Sequence, residues 1–158
     1  MTNNDILRQL RYSFDLSDSA MIAACVAGGL EVTREQVSAW LKKDDDPAWQ
    51  RCSDTELAVF LNGFIAMRRG TKDGAQPAPE SRLNNNTIFR KLKIALELRD
   101  EDILRLMALA GMRIGKHELS AFFRKSDHKH YRECQDQVLR KFLKGIQLHY
   151  RAHRDENN

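Results

Sequence analysis

Residues 3–70 of this chain can be laid over residues 85–152 at a constant offset of 82, without a gap. Asn3-Asn4 falls on Asn85-Asn86, Gly29 on Gly111, Ser38-Ala39 on Ser120-Ala121 and Cys52 on Cys134. Phe60-Leu61-x-Gly63 falls on Phe142-Leu143-x-Gly145. A gapless internal duplication sets the domain organisation. It predicts a first repeat over 1–70, a linker over 71–82, a second repeat over 83–154 and a polar tail over 155–158. A unit this small buries a low fraction of its surface and folds alone only marginally. The copies are therefore expected to pack on each other.

Each copy reads as four helices with no strand. Ile6, Leu7, Leu10 and Phe14 recur at helical spacing, as do Ile88, Phe89, Leu92 and Leu96. Ser17 is suited to cap a second helix that ends at Gly28-Gly29; its counterpart runs from about Asp100 to Gly111. Thr33-x-x-Gln36 and Ser53-x-x-Glu56 have capping-box spacing and open the third and fourth helices. Val37, Trp40 and Leu41, and in the second copy Leu119, Phe122 and Phe123, point the third helix inward. Trp49 and Tyr131 share one slot in the loop before the fourth helix, where each is expected to cover the small core. The fold class is all-α: two tandem pseudo-repeated four-helix domains, each with a helix-turn-helix-like second and third helix.

Composition matters here mainly for what it excludes. Hydrophobic residues make up 42% and charged residues 30%, which is ordinary for a soluble globular protein and not for a disordered one. The first residues are polar and then amphipathic, without a signal core. Nowhere do about 18 apolar residues run together, so no membrane span is expected. Three cysteines, Cys25, Cys52 and Cys134, suit reduced thiols in a cytoplasmic protein.

Charge is where the copies part. Residues 1–70 hold 8 Lys/Arg against 10 Asp/Glu, whereas residues 83–158 hold 16 against 10 and all five histidines. Such asymmetry can mark a nucleic-acid or acidic-partner surface, and it can equally be a solvated face whose charge has drifted. In a helix-turn-helix the third helix of each copy would face the nucleic acid. Its outward set is Arg34, Glu35, Ser38, Lys42 and Lys43 in copy one, and Lys116, His117, Ser120, Arg124 and Lys125 in copy two. Lys129 and Arg132 extend the second set into the next loop. Against this reading, the turn over 28–33 is longer than usual. Asp44-Asp45-Asp46 also sits beside the same face and repels phosphate.

Two other patterns stand in the second copy. Tyr131 lies within the basic stretch 124–132 and could stack on a base. His128-x-His130-x-x-x-Cys134, with His117 upstream, offers zinc-ligand types. Copy one has Asp46, Ala48 and Cys52 there and no CxxC pair exists, so chance clustering is the better account and no metal or other cofactor is expected. No Gly-rich phosphate loop, G-x-S-x-G or H-E-x-x-H is present, so no enzyme is read.

The chain resembles the YehS-like proteins, a bacterial family defined as a domain of unknown function. The resemblance rests on the paired openings Asn3–Leu10 and Leu83–Leu92, on VSAWLKK at 37–43 and ELSAFFRK at 118–125, on CSDTELAVFLNG at 52–63 and on YREC at 131–134. It implies family membership over nearly the whole chain outside the linker and brings no activity to carry over. The residues themselves point to a nucleic-acid-binding protein (DNA or RNA) with the second copy as main contact. The rival is a protein-interaction adaptor, or a homodimer, using the acidic and apolar surfaces of the first copy.

Overall fold

A computed structural model describes residues 1–70 and 77–152. The first half of the expected linker and the expected polar tail lie outside the described residues. The helices are α1 (Asn3–Phe14), α2 (Asp18–Ala27), α3 (Arg34–Leu41) and α4 (Asp54–Arg69), followed by α5 (Asn85–Ala95), α6 (Asp100–Leu109), α7 (Lys116–Ala121) and α8 (Asp136–Ile146). A π-helical turn, Gln147–Arg151, prolongs α8. No strand occurs among the described residues, and no helix there is long and apolar enough to cross a membrane.

Side chains start these helices as the sequence leads one to expect. Ser17 Oγ accepts from the Ala20 N–H at 3.1 Å. Thr33 with Gln36, and Ser53 with Glu56, bond reciprocally, so each pair satisfies two groups that a helix start leaves orphaned. At the matching positions copy two has Arg99, Gly115 and Gln135, none of which caps its helix through its side chain. The repeat extends to backbone shape. The only non-glycine residues with positive φ among those described are Asp15 (48°) and Glu97 (53°), which end the first helix of each copy.

Within each copy the second helix packs on the fourth, closely enough to need glycine. A Cβ on Gly63 would sit 1.6 Å from the Ala24 carbonyl oxygen, and one on Gly145 would sit 2.1 Å from that of Leu106. The core below is aromatic and aliphatic. Phe60, Phe89 and Phe142 are fully buried, and Phe89 stacks on Phe142 with centroids 4.1 Å apart.

The two copies are not separate bodies. α4 packs on α5 while α1 packs on α8 and its π-helical extension, so the first and fourth helices of each copy meet the fourth and first of the other. This is the reciprocal pattern of a twofold interface, built within one chain. Phe14 contacts Phe64 of its own copy and Tyr150 of the other, and the Arg68 guanidinium lies 5.2 Å from the Phe14 ring. Arg151 donates to the Tyr12 carbonyl at 2.7 Å and lies over its ring. One hydrophobic cluster runs through both copies.

Candidate nucleic-acid interface

The loop between the third and fourth helices is built by the same bonds in both copies. Asn4 Nδ2 donates to the carbonyls of Trp40 (3.0 Å) and Gln50 (2.8 Å), and its Oδ1 accepts from the Cys52 N–H (3.0 Å). Asn86 repeats this with Phe122 (3.0 Å), Arg132 (2.8 Å) and Cys134 (2.9 Å). One step before, Asn3 and Asn85 donate to the Cys52 and Cys134 carbonyls and to Asp54 and Asp136. The turn inside the loop also matches. Asp46 Oδ1 accepts from the Ala48 N–H at 2.8 Å, and His128 Nδ1 accepts from the His130 N–H at 3.0 Å. His128 thus does the structural work of Asp46. No cluster of three metal-ligating side chains forms among the described residues.

On this shared frame the surfaces differ. In copy two, His117, Arg124, His130 and Arg132 line one open groove of about 360 Å³, together with Glu118. The offset puts Glu35, Lys42, Ala48 and Gln50 at those four places in copy one. Glu118 is partly committed, because it accepts from the Gly115 N–H at 3.3 Å. A second groove of about 510 Å³ shares Glu118 and Arg132 with the first and adds Phe122 and Tyr131. Both volumes fall within the roughly 300–1,000 Å³ typical of small-ligand sites.

Of the expected site residues, the structure therefore gathers His117, Arg124 and Arg132. Arg34 and Lys116 sit apart, tied at 3.5 Å to Asp18 and at 3.6 Å to Glu101. Ser38 and Ser120 are half-buried, and Ser120 Oγ donates to the His117 carbonyl of its own helix. Lys42, Lys43, Lys125 and Lys129 are exposed and line none of these grooves. The basic residues do not end a long recognition helix. Lys42 is already extended, and α7 stops at Ala121, so Arg124 and Lys125 belong to the loop. His130, outside the expected set of contacts, also lines this groove.

The expectation that Trp49 and Tyr131 cover the core is not met. Both are half-buried and neither joins the hydrophobic cluster or the residues packed against it. Trp40, Phe122, Cys52 and Cys134 are the buried residues at this end of each copy. The aromatic rings turn instead to surface grooves, Trp49 beside Arg51 and Tyr131 beside Arg132.

Thiol chemistry is suppressed. Burial pushes Cys25 up to about 11 and Cys52 and Cys134 up to about 12, and nearby carboxylates add to the shift. At neutral pH all three are protonated packing groups rather than nucleophiles.

Comparison with known proteins fits this geometry. The family described as "Protein of unknown function (DUF1456)" matches residues 3–70 and again 85–152. The chain is 43% identical over 148 residues to "Uncharacterized protein YehS" of Escherichia coli (strain K12), covering 92% of this chain and 94% of that protein. No solved structure matches the chain. The two matched stretches are the two copies seen in the fold, and the chain belongs to the DUF1456 family, which it contains twice in tandem.

Proposed function

We propose that this is a non-enzymatic nucleic-acid-binding protein whose main contact is the basic groove of the second copy. One observation carries the reading: two loops with the same hydrogen-bonded frame present differently charged surfaces. Where copy one has Glu35, Lys42, Ala48 and Gln50, copy two has His117, Arg124, His130 and Arg132. A scaffold kept alike while its groove turns cationic suits an anionic partner. Arginine, with its planar fork of donors, suits phosphate in particular. Asp44-Asp45-Asp46 in copy one would turn the same partner away.

Phosphate contacts release counterions, so affinity should fall linearly in log–log form with salt. About four contacts give a slope of roughly −3 to −4. Fluorescence anisotropy with labelled DNA and RNA oligonucleotides at two salt concentrations measures this. Absence of binding at low salt would sink the reading.

A further inference from the structure

We infer that the second-copy groove takes single-stranded nucleic acid, with one base stacked on Tyr131 and the adjoining phosphates held by Arg132 and Arg124. The inference rests on the nucleic-acid reading and narrows it to a strand with unpaired bases.

The geometry that carries it is the junction of the two grooves. Arg132 and Glu118 line both, so the groove of His117, Arg124 and His130 adjoins the groove that Tyr131 lines. Tyr131 is half-buried, outside the hydrophobic cluster, and its side chain has no hydrogen-bond or ring partner among the described residues. The backbone that carries the ring is nonetheless held. The Tyr131 N–H donates to the His128 carbonyl at 3.0 Å, and the neighbouring Arg132 is pinned through both backbone groups, to the Ala121 carbonyl and to Asn86. A positioned aromatic without a partner, set against a cationic groove, is the arrangement by which single-strand binders combine stacking with backbone attraction. A duplex keeps its bases stacked on each other and offers Tyr131 no free face. Glu118 and Glu133 also line the Tyr131 groove. Glu118 lines the cationic groove as well, so it is Glu133, confined to the Tyr131 groove, that disfavours a phosphate there and can accept hydrogen bonds from base amino groups.

The test uses the full chain with oligo(dT), oligo(U) and a hairpin duplex of equal charge, each followed by anisotropy at low salt. A single strand carrying 2-aminopurine reports stacking through quenching of its fluorescence. The expected result is tighter binding of both single strands than of the duplex, with quenching. Tyr131→Ala should lose about tenfold in affinity together with the quenching, and Tyr131→Phe should keep both. Circular dichroism shows whether each variant is folded, and wild-type quenching stands independently of either substitution. Equal binding of duplex and single strand would overturn the inference. So would full affinity in Tyr131→Ala while Arg124→Glu/Arg132→Glu still weakens binding, a result that leaves the broader reading intact. Failure of every nucleic acid to bind would overturn both.

Discussion

At the scale of single residues, asparagine does more than any charged side chain to hold the candidate site. Asn86 is 3% exposed and satisfies two carbonyls and one N–H of the loop that carries Tyr131 and Arg132. Asn86→Ala would orphan these groups, each at about 1–3 kcal/mol where it stays buried, so a net loss of roughly 3 kcal/mol is expected. Urea denaturation measures the loss, and nucleic-acid affinity should fall with it because the groove loses its frame. The Asn-Asn pair was visible in the sequence as one of the repeat's agreements. Its role was not, because the partners lie 36 to 48 residues away along the chain. A repeated polar residue beside an apolar helix stripe was the signal available. His117, Arg124 and Arg132 were legible as basic positions. Their meeting in one groove was not, because it depends on how α7 and the following loop pack.

At the scale of elements, local chemistry was read well wherever the deciding groups lie three or four residues apart. The caps at Ser17, Thr33 and Ser53 are such cases. Phe122 and Phe123, expected on the third helix, lie beyond the end of α7. Gly115 supplies no capping side chain where Thr33 does, and the helix stops at Ala121, before the position matching Leu41. The aromatic slot was misjudged because hydrophobic character alone does not say whether the core has room left. Close helix packing yields a sharper test. A methyl group at Gly145 would run into the backbone of α6, which has no flexible end to give way. Gly145→Ala should therefore destabilise the protein by about 1–3 kcal/mol or more, despite alanine's better helix propensity. Thermal melting reads the sign directly, and a higher Tm would contradict the packing described here.

At the scale of the whole molecule, the duplication is closed by reciprocal contacts between the copies. The Leu83 N–H donates to Asp54 at 2.9 Å, and the amino group of Met1, the residue matching Leu83, lies 3.8 Å from Asp136. The amide of Asn3 and the N–H of Leu83 hold the Asp54 carboxyl below its ordinary value of 3.8. The amide of Asn85 and the Met1 ammonium do the same for Asp136. A lowered folded-state pKa means that this stabilisation is present above pH 3.8 and is lost as pH falls through the folded value. The Tm difference between wild type and Asp54→Ala should accordingly be largest near neutral pH and shrink below pH 3.8. A difference that holds or grows in acid would contradict the clamp.

The most direct test of the functional account sets the two copies against each other in one binding titration. Arg124→Glu/Arg132→Glu and Lys42→Glu/Lys43→Glu change net charge equally, one pair in each copy. The account predicts that the first pair lowers nucleic-acid affinity by tenfold or more, at about 1.4 kcal/mol per factor of ten, and flattens the salt dependence. The second pair should leave both nearly unchanged. Equal losses from the two pairs, or none from the first, would contradict it.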